Sequence, residues 1–501
     1  MNKIVIIGGG ISGLSAAAYL SKNNEVILLE KNSSLGGRAR ILENRGFKFD
    51  MGPSWYWMPD VFERFFNDFN HTTSDFYTLI QLNPAFQVIF DDGDVIYIPA
   101  NIEELADIFE KYERGSRKKL MNYLNQSKLL YDLSMNGAVD KPYLNWSDYL
   151  DKKFLNIQML SSLFRSVSGD VRKYFHHSKL RQLLEFPVIF LGSTADKIPA
   201  LYHLMNYACF KLGTWYPMGG MYEIIKSIHK IGLENNAQYF VNTEVKEILV
   251  KNKKVIGIRT DKDFIEADIV ISSADYTHTE NNLIKKQFAN YNEDYWERKT
   301  FAPSALIFYL GVNKKLPRLL HHNLFFDADF NKHIHQIYSN KQWPDNPLFY
   351  VSVPSKTDNS VSPVGYENVF ILIPIAPGLK DDKNIHEQIF KNVISRIEKF
   401  IGEKFSENII VKHTYSVSNF INDYNAYKGN AYGLANTLFQ TAGFKPKMRN
   451  KNISNLFYIG QLTVPGPGVP PSLISGKIVS NLITKYYPST EIKTKQYETV
   501  I

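Results

Sequence analysis

A chain of 501 residues is long enough for two or three domains with sizeable cores, and 44% apolar with 22% charged residues is a globular composition that excludes a disordered or fibrous protein. Lysine and arginine exceed aspartate and glutamate by eight, 58 against 50, which favours anionic surfaces; with no zinc spacing, basic tract or nucleic-acid module beside that charge, the surface expected is lipid and not nucleic acid. A single cysteine, Cys209, excludes an intramolecular disulfide and suits a reducing compartment, while 14% aromatic residues suit a long apolar cavity or simply a dense core.

No signal peptide is read ahead of the first strand, because Met1-Asn2-Lys3 runs directly into Lys3 to Ile7. That strand enters the turn Gly8-Gly9-Gly10-Ile11-Ser12-Gly13, and the next apolar run, Glu25 to Leu29, is closed by Glu30. The arrangement is a dinucleotide-binding fingerprint. Gly8 permits the tight turn, Gly10 lets backbone N–H groups approach a pyrophosphate, Gly13 lets the helix lie close on the sheet, and Glu30 accepts from a free ribose 2′-OH. Alone, such a glycine pattern is a weak signal, but it is followed by Gly36-Gly37-Arg38-Ala39 and by Gly46-Phe47-Lys48-Phe49-Asp50-Met51-Gly52-Pro53.

Residues from about 100 to 210 are predicted to be mainly helical, with Leu160, Leu163, Phe164 and Val167 at i, i+3, i+4 and i+7. Between Asn145 and Gln182 seven basic side chains outnumber three acidic ones, a net +4. Lys152-Lys153-Phe154-Leu155, Arg172, Lys173 and Lys179 then suit an interfacial amphipathic helix, or equally a helix packed on the protein's own core. Phe186 to Tyr207, with Pro187, Phe190, Leu191 and Leu204, is expected to line an apolar tunnel or to fill the core. Short β-branched runs at Gln238 to Val241, Val245 to Val250, Val255 to Arg259 and Ala267 to Ser272 read as strands. A second insertion, about 300 to 430, carries strands such as Ala305 to Leu310 and one helix, Asn384 to Ile401. Its strongest apolar run, Val369 to Ala376, is too short and too proline-interrupted to span a bilayer and reads as a buried strand. At the C-terminus, Asn455 to Gly460 is a strand ending in glycine. It continues through Gln461-Leu462-Thr463-Val464-Pro465-Gly466-Pro467-Gly468-Val469-Pro470-Pro471, a rigid loop that brings backbone close to a planar ring system.

The glycine pair with Arg38, directly after the ribose acid, resembles FAD-dependent oxidoreductases of the amine oxidase and carotenoid desaturase superfamily. The C-terminal loop, Met51 to Asp60, Gly213 to Met221 and Tyr427 to Ala435 together resemble bacterial phytoene desaturases over nearly the whole chain; Met218 departs from them, since many members carry a basic residue there. The resemblance implies an α/β fold: a Rossmann-like, GR2-type FAD-binding domain from residues 1–100, 211–300 and 431–501, a helical, membrane-associated insertion at 101–210, and a substrate domain at 301–430. It implies FAD held by Gly8, Gly10, Ile11, Ser12, Gly13, Glu30, Lys31, Gly37, Arg38, Met51, Gly52, Val245, Ala274, Gly460 and Val469, with no metal. The expected reaction is successive desaturation of phytoene toward lycopene, by hydride transfer to flavin N5 and loss of a proton from the vicinal carbon. A quinone or dioxygen then reoxidises the flavin, and the protein sits peripherally on the cytoplasmic side of the cell membrane, its oligomeric state left open. Asp50, Asp170, His176 and His177 are weak candidates for the proton acceptor, and no catalytic residue is assigned. A related carotenoid desaturase, isomerase or ketolase, an FAD amine oxidase, and a carotenoid-binding peripheral membrane protein without turnover remain as alternatives.

Overall fold

A computed structural model describes residues 1–145, 148, 156–189 and 191–488. The N-terminal strand Lys3–Ile7 occupies the middle of a five-stranded, all-parallel sheet ordered Leu456–Tyr458, Ile269–Ser272, Lys3–Ile7, Glu25–Leu29, Gln238–Phe240. Ile4, Val5, Ile6, Val26, Leu28, Val270 and Ile271 are fully buried, as strands of a parallel sheet covered on both faces must be. Helix Ile11–Leu20 leaves the first strand and meets the C-terminal helix Val469–Tyr486, where Ser15 Oγ donates to Leu473 O at 2.8 Å. The contact is close because Gly476 lacks a side chain: a Cβ there would stand 2.5 Å from Ser15 Oγ. The first and last helices among the described residues are thereby joined. Val245–Lys251, Lys254–Thr260 and Phe264–Glu266 form a small antiparallel sheet beside them.

A second, seven-stranded sheet is mixed, ordered Ile409–Tyr415, Ser304–Val312, Glu367–Ile375, Phe349–Ser352, His322–Phe326, Phe86–Phe90, Val95–Ile98. Its side chains alternate faces with period two. Leu306, Phe308 and Leu310 pack with Ile389, Val393 and Ile397 of helix Lys383–Ile401, whereas Ala305, Ile307 and Tyr309 face the main core. Residues Phe86–Phe90 pair parallel to His322–Phe326 and antiparallel to Val95–Ile98. The stretch 1–100 therefore does not lie wholly with the nucleotide-binding strands. Phe86–Phe90 is buried along its full length, and its partner is more than two hundred residues away, so nothing local in the sequence reveals the pairing.

The layer over this sheet is helical: Ile102–Tyr112, Ser116–Leu133, Ile157–Leu163, Val167–Tyr174, Ser178–Ile189 and Leu204–Phe210. The apolar stripe from Leu160 to Val167 is not one helix. The chain breaks after Leu163 and restarts where Ser166 Oγ accepts from Gly169 N, leaving Phe164 78% exposed. Lys152, Lys153, Phe154, Leu155 and Phe190 lie outside the described residues. Among the described residues no helix is long and apolar enough to cross a membrane.

Candidate active site

A cavity of about 530 Å³ runs between the parallel sheet, the inner face of the seven-stranded sheet and the helical layer. At one end stands the N-terminus of helix Ile11–Leu20. Gly8 turns the chain at φ +101°, and a Cβ on Gly13 would come within 2.1 Å of Gly8 O, so this turn packs only if Gly13 is glycine. Gly10 caps the helix without a side-chain hydrogen bond, and a Cβ there would meet nothing within 4 Å. The unpaired N–H groups of the first helical turn thus open onto the cavity, where the helix dipole favours an anion.

Glu30 follows the second strand and is buried, with its carboxylate fixed by the chain itself. Oε2 accepts from Gly9 N at 2.8 Å, and Oε1 accepts from Asn32 N and Nδ2, both at 2.8 Å. Its remaining lone pairs face a cavity wall shared with Lys31, Thr243, Glu244 and Val245, where a ribose hydroxyl can donate. Arg38 lies farther along. Its guanidinium stacks over Tyr424 at 4.9 Å and Nη2 donates to Asn430 O at 3.3 Å, but Nε has no partner and no carboxylate pairs with it among the described residues. Burial presses its pKa down. Arg40, two residues on, also has an unpartnered Nε but pairs with Asp423 at 2.5 Å, so it is the lack of a carboxylate that sets Arg38 apart. A half-buried cation with a buried, orphaned donor on an open cavity calls for an anionic ligand. Together with the Gly10 cradle and the Glu30 acceptor, it fits the diphosphate and ribose of FAD.

The structure brings Gly8, Gly10, Ile11, Ser12, Glu30, Lys31, Gly37, Arg38, Met51, Gly52, Val245, Ala274, Gly460 and Val469 onto the walls of this one cavity; Gly13 sits beneath the turn, not on the wall. Gly460, Gly466 and Gly468 adopt φ of +102°, +135° and +118°, which lets the loop from Pro465 to Pro471 follow the wall closely. Beyond Gly52 the lining becomes apolar, with Trp55, Trp57, Met135, Met159, Leu191 and Leu204 among it. Trp55 anchors an aromatic group with Trp57 at 5.2 Å and Phe186 at 5.7 Å. Leu191 and Leu204 reach the wall as a tunnel lining would, whereas Phe186 fills the core behind it.

None of the four sequence candidates for proton acceptance lines the cavity. Asp50 is turned away: its carboxylate accepts from Met221 N at 2.9 Å and Tyr222 N at 3.2 Å, at the start of helix Tyr222–Glu234, and burial pushes its pKa up to about 7. Asp170 is paired with Lys173 at 2.8 Å and Arg165 at 3.2 Å. The backbone N–H groups of His176 and His177 donate to Glu113 at 2.7 and 3.0 Å on the outside of the helical layer. Sequence reasoning missed Tyr424 and singled out Asn430 only as part of the motif Tyr427 to Ala435, without its task; both hold Arg38 from almost four hundred residues away.

The family described as flavin containing amine oxidoreductase matches residues 11–484. A carotenoid 3,4-desaturase of Haloarcula japonica is 40% identical over 476 residues, covering 95% of this chain and 96% of that protein. A zeta-carotene-forming phytoene desaturase of Myxococcus xanthus is 28% identical over 484 residues, covering 95% and 93%. Among solved structures, a putrescine oxidase bound to putrescine superposes with a TM-score of 0.65 at 11% identity, covering 97% of this chain and 99% of that one. An oxidoreductase from Methanosarcina mazei gives 0.62 at 18%, covering 96% and 100%. These two likenesses establish the fold.

Proposed function

The chain belongs to the carotenoid desaturases of the flavin containing amine oxidoreductase family, and from that membership we propose that it desaturates an acyclic carotenoid, carrying phytoene toward lycopene. The observation behind the reading is a single cavity that joins a dinucleotide cradle to an apolar, aromatic-lined end. FAD is the cofactor, and when bound it supplies the two-electron acceptor that amino-acid side chains lack.

The protein's own residues do the remaining work. The Gly10 cradle, Glu30 and Arg38 hold the cofactor's polar half. The apolar wall from Trp55 to Leu204 holds a hydrocarbon in extension and keeps water from a reacting carbon. The electron-rich faces of Trp55 and Trp57 stabilise positive charge developing along the polyene. A hydrocarbon this insoluble reaches the cavity from a lipid surface, and the exposed apolar side chains favour that route: Ile157 is 80% and Phe164 78% exposed on either side of the wall residues Met159 and Leu163, and Phe439 is 71% and Phe444 58% exposed beside Thr441 and Ala442. A peripheral seat on the cytoplasmic face of the membrane, with a quinone or dioxygen as final electron acceptor, completes the reading.

A second reading, 3,4-desaturation of an already conjugated carotenoid, is favoured by the 40% identity to the Haloarcula japonica protein. One experiment separates the two. The FAD-loaded protein is given phytoene and, separately, lycopene in lipid vesicles, and the pigments are resolved by chromatography with absorption spectra. Conversion of phytoene to a red product supports the first reading. Extension of the lycopene chromophore with phytoene untouched supports the second, and no change in either carotenoid defeats both.

A further inference from the structure

Tyr350 is a polar group on the cavity wall to which holding cofactor and carotenoid gives no task. It projects from strand Phe349–Ser352; its O–H donates to Ser54 Oγ at 3.0 Å, and its Oη stands 2.6 Å from His322 Nδ1. Ser54 stands two residues past Gly52, whose Cβ position lies 2.6 Å from Arg38 O, so the hydroxyl sits where the polar end of the cavity gives way to the apolar end. His322 is fully buried. Its ring lies parallel to that of the cavity-lining Trp55, centroids 4.1 Å apart and planes within 15°, and its Nε2 has no hydrogen-bond partner. Burial, and after it the His321 ring 4.4 Å away, holds the His322 pKa well below the usual imidazole range, so the ring is neutral. Ser54 also lines a second void of about 10 Å³ with Asp50, Tyr216, His321 and Ser352, about the room of one water molecule.

We propose that Tyr350 and His322 together take up the proton that desaturation releases, Tyr350 at the substrate and His322 behind it. The proposal rests on the desaturase reading. One C–H bond of the substrate loses its hydrogen with both electrons to oxidised FAD, and the neighbouring C–H loses a proton while its electron pair becomes the new C=C bond. That proton passes to Tyr350 Oη as the tyrosine's own proton, turned from Ser54 Oγ to the imidazole, moves to His322 Nδ1 in the tautomer that leaves this nitrogen free to accept. A C–H beside a carbocation is a strong acid, so a neutral imidazole reached through a phenol is base enough. The imidazolium then returns its proton through Tyr350, whose O–H donates to Ser54, to the Asp50 carboxylate across the small void, away from the polyene.

The test uses the full chain loaded with FAD and whichever of the two carotenoids the wild type converts, presented in vesicles. Tyr350→Phe keeps the ring and removes the relay; His322→Gln keeps a hydrogen-bond acceptor and removes the base. Both are expected to retain FAD with an unchanged flavin spectrum and an unchanged KM, while kcat falls about a hundredfold. Deuterium at the carbon that loses the proton should give a larger isotope effect in both variants than in the wild type, a signature that a packing role does not produce. Wild-type kcat in both variants, or loss of FAD from both, overturns the proposal. If the wild type itself holds FAD and desaturates neither carotenoid, the desaturase reading fails along with it, whereas an active wild type with fully active variants defeats the proton relay alone.

Discussion

Gly13 has no room for a methyl group, since a Cβ there would stand 2.1 Å from Gly8 O. Gly13→Ala must push helix Ile11–Leu20 off the first strand, and with it the N–H groups facing the cavity. We expect a loss of about 1–3 kcal/mol in stability, together with loss of bound FAD, measured by denaturant titration and by flavin absorbance of the purified protein. Full FAD content at wild-type stability would show that the turn is looser than its geometry. Glu30→Gln replaces an acceptor held by Gly9 N and by Asn32 with a group that turns a donor toward one of them. FAD affinity should fall at least tenfold, consistent with about 1.5–3 kcal/mol for a hydrogen bond to a charged group, as read by titration calorimetry of the apoprotein. These two residues are legible in sequence because their tasks are set within thirty positions of the chain. Arg38 is legible as a type but not as a geometry: its partners Tyr424 and Asn430 arrive from the far end of the chain.

At the scale of elements, Asp50 joins the hairpin Ile41–Asn44 and Phe47–Asp50 to the N-terminus of helix Tyr222–Glu234. Desolvation outweighs the two backbone hydrogen bonds and raises its pKa to about 7, so the folded protein holds this proton more tightly than the unfolded chain, where an aspartate titrates near 3.9. The stability this contributes is complete below about pH 4 and is lost as the pH rises to about 7. Asp50→Asn should therefore flatten the fall in stability across that window, measured as midpoint of denaturation against pH; an unchanged slope would place the titration elsewhere. The break between Ile157–Leu163 and Val167–Tyr174 is likewise an element-scale event. The periodic stripe was readable, but Ser166 competes as a cap at its centre, and the outcome leaves Phe164 facing solvent. If that face meets lipid, the pair Ile157→Ser and Phe164→Ser should lower co-flotation with anionic vesicles several-fold while leaving FAD content intact. Undiminished flotation would move the membrane contact to another surface.

For the molecule as a whole, the cavity is walled by the first strand turn, both large sheets, the helical layer and the loop before helix Val469–Tyr486. A ligand that bridges all of them stabilises all of them, and FAD at a hundred times its dissociation constant should add about 2.7 kcal/mol. Thermal unfolding of matched apo and FAD-loaded protein should show the loaded form melting several degrees higher in one cooperative step; equal midpoints would mean that the bound cofactor does not tie these parts together. The sequence by itself determined the cofactor class and the parallel sheet that carries it, because left-handed glycines, a turn and an acid at the end of a strand act through neighbours a few bonds or one supersecondary unit away. It also marked the wall-following Pro465 to Pro471 loop for the same reason. Only the tertiary structure decided that Phe86–Phe90 belongs to the seven-stranded sheet, that Asp50 caps a helix, and that Tyr350 meets His322 and Ser54 on the cavity wall. Strand pairing and the environment of a titratable side chain depend on residues hundreds of positions apart, and desolvation, which sets what a buried carboxyl or imidazole can do, exists only once the chain has closed around it.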